Sequence, residues 1–304
     1  MKALKFSGLE KLRGIKPDSI IVIGMGGSGI IGPILKNLAK DANINVPIIS
    51  WNDYGLPAGC FKKPLLIFVS FSGNTEETIS GYQKAQKYRW KAVVSGGGRL
   101  SRLAQKSQTA LASFKKNDLA PRQANGLMLY GALGIIKTVF PKTKIKDLAK
   151  TFKPEKYRAL GIKVAQRIRN KIVVIYASAN NNSLGHLWKI HLNETAKAPA
   201  FDNVIPEMNH NEIVSFESRP KNIFALLLIA ENDGPIHQKR FKITERILKK
   251  MAIPTMTIRL KAGDALEKIF ENVALAEWTS YFLAKIQKVN PLKTKTIEII
   301  KSLI

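Results

Sequence analysis

The chain is poor in several residues that would otherwise dominate its reading. It has one cysteine, Cys60, in 304 residues, which excludes an internal disulfide framework and a cysteine-built metal cluster. Cys60 itself reads as a small, partly buried apolar residue. Histidine occurs only four times, so each can be weighed singly. No apolar run approaches about 18 uncharged residues, and the start MKALKFSGLEKLRG has no apolar signal core; both argue against a membrane span and for a cytoplasmic protein. Acidic residues are scarce, 22 Asp+Glu against 49 Lys+Arg, leaving a net charge of +27. That balance raises nucleic-acid binding as a function class, because a basic surface neutralises phosphates regardless of sequence. Yet the lysines are spread over helix faces, at Lys84, Lys87 and Lys91 and again at Lys239, Lys242, Lys249 and Lys250. They neither gather in one arm nor alternate with aromatics. Such a distribution describes a solvated surface that also attracts small anions at long range, less so as salt rises. Low-complexity tracts and short-period repeats are missing too, which excludes a solenoid.

What is present is the balance of an ordinary globular protein, 45% hydrophobic and 23% charged, in a length that accommodates two domains of about 150 residues. The richest stretch is SFSGNTEET, residues 70 to 78. It follows the buried-strand run Pro64-Leu65-Leu66-Ile67-Phe68-Val69 and precedes a helical segment from Thr78 to Ala85, so it is a strand-to-helix turn. Ser70, Ser72 and Thr75 supply hydroxyls, Gly73 a sharp turn and Asn74 an amide, with no lysine or arginine inside the turn. Neutral donors converging on a helix amino end suit a phosphate. The structural alternative is an ordinary cap, Thr75 with Thr78 or Ser72 with Glu76.

The other elements fall around this turn. A basic lead-in, with a short amphipathic helix around Leu4 to Leu12, precedes the strand Ser19-Ile20-Ile21-Val22-Ile23. Then comes the turn GMGGSG at 24 to 29 and a helix from Ile30 to Leu38. GMGGSG matches the dinucleotide fingerprint G-x-G-x-x-G, which requires an acidic residue about 20 positions later at the end of the next strand. That strand, Val46 to Ser50, ends in serine, with Asp53 only in the loop beyond. A nicotinamide oxidoreductase is therefore the weakest reading, and Ser28 offers a hydroxyl that a sugar site would use. Gly26 and Gly27 allow close approach to a ligand or serve only the tight turn. A further strand, Lys91 to Ser95, ends in a glycine run, and a short one spans Thr109 to Phe114. The alternation predicts α/β architecture: a right-handed, doubly wound parallel sheet whose ligands sit beyond the carboxyl ends of its strands. A helix from near Pro121 follows, and the lysine-rich stretch Pro141 to Lys156 reads as the link between a domain of residues 1–152 and a second one.

Residues 153–304 repeat the theme. Helix Tyr157 to Asn170 leads to strand Lys171 to Tyr176 and then Ala177-Ser178-Ala179-Asn180, a weak echo of the earlier turns. A helix from Ser183 to Lys197 is followed by the polar loop Pro206 to Glu212. The remainder reads as strand Ile223 to Ile229, helix Ile236 to Lys250, strand Thr255 to Leu260, helix Ala265 to Lys288 and a last helix after Asn290-Pro291. His186 and His191 lie five apart on one helix, the wrong spacing for paired metal ligands, and no third ligand is evident. His237, near a helix start, reads as a surface residue. His210, among Asn209, Asn211 and Glu212, is an acid/base candidate or a solvated loop residue. Glu194, following Leu187-Trp188 and Ile190 on its helix, reads first as an exposed helix charge.

Taken together these residues resemble the archaeal bifunctional phosphoglucose/phosphomannose isomerases, built from two sugar-isomerase (SIS) domains. The resemblance spans nearly the whole chain. It rests on GMGGSG at 24 to 29, SFSGNTEET at 70 to 78, LAPR at 119 to 122, NETAK at 193 to 197, HNE at 210 to 212, and NPLKT at 290 to 294 with Lys301 beyond. The first two motifs mark SIS domains in general, and the later ones narrow the family. The resemblance implies two SIS-type doubly wound domains, 1–152 with the sugar-phosphate loops and 153–304 with the catalytic base. It implies that Gly26, Gly27, Ser28, Ser70, Ser72 and Thr75 hold the phosphate. Glu194 corresponds to the base moving a proton between C1 and C2 through a cis-enediolate, and Arg122 to the cation stabilising that anion. His210 corresponds to the group assisting ring opening, supplied in the family by the neighbouring subunit of a homodimer. Lys301 corresponds to a second participant near the ring, and Thr294 to the threonine associated with accepting the mannose epimer. The activity would interconvert glucose 6-phosphate and mannose 6-phosphate with fructose 6-phosphate, with neither metal nor nicotinamide. Asn209 before His210 departs from the family pattern, and the positive charge is not a family trait. The competing readings are a non-catalytic SIS sensor of sugar phosphates, which would need only the phosphate loops, and the basic nucleic-acid binder.

Overall fold

The computed structural model describes residues 3–59, 61–148, 150–261 and 263–303; Cys60 lies outside them. The chain divides between Asp147 and Leu148 into two compact units.

The first unit runs β1 (Leu4–Ser7), β2 (Ser19–Ile23), a helical turn α1 (Gly26–Gly29), α2 (Ile31–Leu38), β3 (Ile48–Trp51), β4 (Pro64–Ser70), α3 (Glu76–Lys84), β5 (Lys91–Ser95), α4 (Gly98–Lys106), β6 (Ala110–Phe114) and α5 (Asn125–Val139). Its sheet has the order β1-β6-β5-β4-β2-β3, parallel except for β1, which pairs antiparallel with β6. The central strands SIIVI and PLLIFVS are buried along their whole length, as strands covered on both faces must be. α2 buries Ile31, Ile34, Leu35 and Leu38, the three-and-four spacing of one helix face. Ile21, Ile23, Leu66, Phe68, Tyr82 and Leu100 form a core beneath α3 and α4.

The second unit runs α6 (Arg158–Arg167), β7 (Ile172–Ser178), α7 (Asn182–Ala196), β8 (Ala200–Ile205), β9 (Ile223–Ala230), α8 (Pro235–Lys250), β10 (Thr255–Leu260), α9 (Ala265–Ile286) and α10 (Lys295–Leu303). Its sheet, β10-β9-β7-β8, is wholly parallel. Tyr176, Ile205, Phe216, Leu227, Phe241 and Leu248 form a core on one face, and α9 packs against α6 and α7 on the other. The α/β class and the parallel, helix-flanked sheets agree with the sequence reading.

Three local expectations are corrected. Residues 4–12 are not one helix: Leu4–Ser7 pairs with β6, Gly8 takes φ +68°, and only Leu9–Leu12 coils, as a 3-10 turn. An isolated helix of that length is marginal, whereas the edge of β6 offers a row of unpaired backbone groups. Between α7 and the polar loop lies an unexpected strand, β8, whose Asp202 and Asn203 hide its pattern. The polar loop itself forms two 3-10 turns, Glu207–His210 and Glu212–Ser218, anchored by buried Met208 and Phe216. Among the described residues no helix is long and apolar enough to cross a membrane.

Candidate active site

In the first unit the chain leaves β2 toward β3 on one side and returns to β4 on the other. The carboxyl ends of β2 and β4 therefore flank a topological switch point, where α/β sheets bind ligands. GMGGSG follows β2 and SFSGNTEET follows β4, so the two motifs meet there. The Phe71 N–H donates to Ser28 Oγ at 3.0 Å, and Ser28 Oγ–H donates to the Met128 sulfur at 3.3 Å. Within the second turn Ser70 Oγ accepts the Gly73 N–H at 3.0 Å and lies 2.9 Å from Thr75 Oγ1. Ser72 Oγ accepts the Asn74 N–H at 3.1 Å. Ser28 and Ser70 are buried, whereas Ser72 and Thr75 are half-exposed and Gly26 is exposed. Ser28 and Ser70 thus brace the turns from inside, whereas Ser72 and Thr75 lie half-exposed ahead of α3 with their oxygens bonded within the turn. Thr75 is the N-cap of α3 by position, but its side chain makes no capping hydrogen bond. The ordinary-cap reading therefore fails for Thr75, whose oxygen is paired with Ser70 instead.

Arg122 belongs to this group. It sits in a 3-10 turn, Pro121–Gln123, is 1% exposed, and its carbonyl accepts Asn125 Nδ2 at 2.9 Å. A methyl group on Gly27 would come within 2.9 Å of the Arg122 nitrogen; glycine is what lets this turn close over the first one. Two braces were not foreseen. Asn52 Nδ2 donates to the Gly24 carbonyl at 2.6 Å, and Asn74 Oδ1 accepts the Arg99 N–H at 2.9 Å, tying the second turn to the glycine run after β5. The only sequence signal for either was an amide placed next to a strand end.

In the second unit Glu194 is half-buried on the last turn of α7. It lines a cavity of about 820 Å³ with Asn193, Lys197, Lys293, Thr294 and Lys295. Ala198, Pro199, Phe201 and Ile297 also line it, and the volume is in the range of small-ligand sites. The end of α7 is held in place: Asn193 Oδ1 accepts the Ala200 N–H at 2.9 Å, and Lys197 Nζ donates to the Glu194 carbonyl at 2.5 Å. Glu194 and Thr294, far apart in sequence, are thereby brought together. Lys301 is exposed on α10, and His210 is exposed at the end of its 3-10 turn; neither lines that cavity. His191 is buried, and His186 Nδ1 lies 3.2 Å from Asp202 Oδ1. Among the described residues no three His, Cys, Asp or Glu side chains converge as a metal-ligand group.

Hydroxyl- and glycine-rich turns at the switch point of the first sheet, in a chain of two α/β units with mainly parallel sheets, fit a SIS-domain protein, the class that the family match below shows. The fold recurs in the C-terminal domain of glucosamine-fructose-6-phosphate aminotransferase from Francisella tularensis, with a TM-score of 0.69 at 14% identity over 94% of this chain and 87% of that one. The family described as bacterial phospho-glucose isomerase C-terminal SIS domain matches residues 159–304. The bifunctional phosphoglucose/phosphomannose isomerase of Caldicellulosiruptor bescii is 33% identical over 94% of this chain and 89% of its own length. That of Aquifex aeolicus is 31% identical over 93% and 89%. The chain belongs to the bifunctional phosphoglucose/phosphomannose isomerase family.

Proposed function

We propose that this protein interconverts glucose 6-phosphate and mannose 6-phosphate with fructose 6-phosphate. The observation that supports the reading is that Glu194 and Thr294 line one cavity of about 820 Å³, a volume in the range of small-ligand sites. In the aldose-to-ketose direction the Glu194 carboxylate takes the proton from C2, and the C–H electron pair forms the C1–C2 double bond as the C1=O π pair moves onto O1 to give a cis-enediolate. The O2 proton passes to O1, and the proton held by Glu194 is returned to C1 as the C2=O bond forms. General acid/base chemistry of this kind calls for no change of oxidation state in the protein. Arg122 stabilises the developing oxyanion. Gly26, Gly27, Ser28, Ser70, Ser72 and Thr75 form the phosphate-holding turns, with Ser72, Thr75 and the α3 amino end as the outward donors. His210 assists ring opening and Lys301 acts near the ring, in a homodimer that shares its active sites. Thr294 makes room for either C2 epimer.

The test is a coupled assay of the purified protein with fructose 6-phosphate in the presence of a chelator, following glucose 6-phosphate and mannose 6-phosphate separately. Both products are expected. Binding of fructose 6-phosphate without formation of either product would replace this reading with that of a sugar-phosphate sensor.

A further inference from the structure

Tyr176 projects from β7 into the core of the second unit, in one cluster with Met208, Phe216 and Leu227, and is fully buried. A phenol there needs a partner, because an unpaired buried hydroxyl forfeits its hydration without return. The partner is Glu212. Tyr176 Oη–H donates to Glu212 Oε1 at 2.5 Å, and the other carboxylate oxygen accepts Asn203 Nδ2 of β8 at 2.7 Å. Burial, reinforced by this carboxylate, pushes the Tyr176 hydroxyl far above its ordinary value, so it remains a donor.

Glu212 lies two residues after His210, and hydrogen bonds hold the segment on either side of His210. The Glu212 N–H donates to Asn211 Oδ1 at 2.5 Å, and Asn211 Nδ2 donates to Glu207 Oε1 at 2.8 Å. Ahead of His210, Asn209 Nδ2 donates to Thr244 Oγ1 of α8 at 2.9 Å. Beyond it, Ser215 Oγ donates to the Glu212 carbonyl at 2.7 Å. His210 itself is exposed. A loop histidine exposed to solvent would ordinarily sample many orientations; here its flanks are fixed to β7, β8 and α8.

We propose that Glu212 is a positioning residue, which from its seat between Tyr176 and Asn203 fixes the turn that presents His210 to the sugar ring. The proposal rests on the reading of His210 as the ring-opening group. Glu212 touches no substrate in this scheme; it acts through His210, and Tyr176 and Asn203 act through Glu212.

The experiment compares Tyr176→Phe, Glu212→Gln, Glu212→Ala, His210→Ala and the His210→Ala/Glu212→Ala double variant. Each is assayed for kcat and KM with fructose 6-phosphate, with near-UV circular dichroism confirming the fold. Misplacement of a catalytic group costs turnover more than binding, so Glu212→Ala should lower kcat on the order of 10- to 100-fold while KM stays within about twofold. Tyr176→Phe keeps the ring and removes one oxygen, and should lower kcat about 3- to 10-fold. Glu212→Gln, which retains an acceptor, should fall between wild type and Glu212→Ala. In the His210→Ala background the loss from Glu212→Ala should vanish, since a residue acting only through His210 has nothing left to position. Multiplicative losses in the double variant would overturn the proposal and leave Glu212 a structural residue. Should Glu212→Ala fail to fold, Tyr176→Phe decides: wild-type kcat overturns the proposal. If His210→Ala keeps wild-type kcat, the ring-opening assignment fails and the proposal with it. If His210→Ala loses kcat while Tyr176→Phe and both Glu212 variants keep theirs, the proposal alone fails.

Discussion

The two units place different chemistry at the same topological position. Each sheet sends the chain outward to one neighbour and brings it back on the other side of its first parallel strand, so each has a switch point, between β2 and β4 in the first and between β7 and β9 in the second. In the first, the strand-end donors are neutral, and Ser72 and Thr75 lie half-exposed ahead of the α3 amino end. In the second, Ser178 Oγ–H donates to Asp233 Oδ1 at 2.7 Å, Asn181 Nδ2 donates to the same oxygen at 3.1 Å, and the Ala230 N–H donates to Asp233 Oδ2 at 2.9 Å. Asp233 is 6% exposed. The second unit fills its switch point with a carboxylate of its own, and its donors are spent internally. On the function proposed above, the same fold position serves an external anion in the first unit, whereas in the second it is occupied by the side chain of Asp233, and the second unit contributes instead through Glu194 near the end of α7.

The comparison breaks most readily at Glu194. Glu194→Gln keeps the shape and loses the base, so kcat should fall by about 10²- to 10⁴-fold while fructose 6-phosphate binding, measured calorimetrically, stays within a few-fold. Near-normal turnover would move the chemistry away from the second unit's cavity. A smaller but still severe effect is expected in the first unit from Gly73→Ala. Gly73 has φ +71°, and a methyl group there would sit 1.7 Å from the Gly97 carbonyl oxygen. Strain and overlap together should cost about 3 kcal/mol of stability or disconnect the turn from its support, raising KM more than lowering kcat. Thermal unfolding and steady-state kinetics on the same preparation separate the two outcomes.

At the second switch point the effect should appear in stability alone. Asp233→Asn replaces one acceptor oxygen with a donor facing Ser178, Asn181 or the Ala230 N–H, which should destabilise the protein by about 1–3 kcal/mol. KM for fructose 6-phosphate should not move. A change in KM comparable to that of Gly73→Ala would mean that both switch points bind substrate, and the distinction between the units would collapse.

How much of this was legible follows the range of the interactions. Buried β-branched runs such as SIIVI and IVVIYAS announce central parallel strands, and a glycine- or hydroxyl-rich turn after such a run announces a ligand edge, because both signals lie within a few consecutive residues. β8 was missed because an edge strand carrying Asp202 and Asn203 has no apolar alternation. β1 was missed because its structure depends on β6, over a hundred residues away. The hydroxyls of 70 to 75 were legible as a set, but not the roles within it, since only the fold shows that Ser70 faces inward to Gly73 and Thr75. Asp233 could not be paired with Ser178, nor Glu194 with Thr294, because each pair is joined by sheet topology and helix packing, to which local spacing is blind.

The smallest effect tests whether dependence on internal carboxylates distinguishes the units generally. Asp202, at the α7–β8 contact, lies 3.2 Å from His186 Nδ1 and 3.6 Å from Lys189 Nζ. Burial raises its carboxyl, but the hydrogen bond and charge of His186 and the charge of Lys189 outweigh that, and the net displacement is downward from the ordinary value of 3.8. A carboxyl depressed in the folded state contributes stability that is fully present above its unfolded value and is lost as pH falls through the folded one. Acidification from about pH 4 downward should therefore loosen β7, β8 and α7, by no more than about 1 kcal/mol for a partly exposed pair of this kind. Asp202→Asn should flatten that dependence. The hydroxyl and amide braces at the carboxyl ends of β2 and β4 carry no titrating group, the carboxylate of Asp18 lying at the opposite ends of these strands, so amide hydrogen exchange near Ser28 and Ser70 should change less over the same interval than exchange in β7 and β8. Equal acceleration in both places would show that acid acts on the chain as a whole and not through carboxylates built into its second unit.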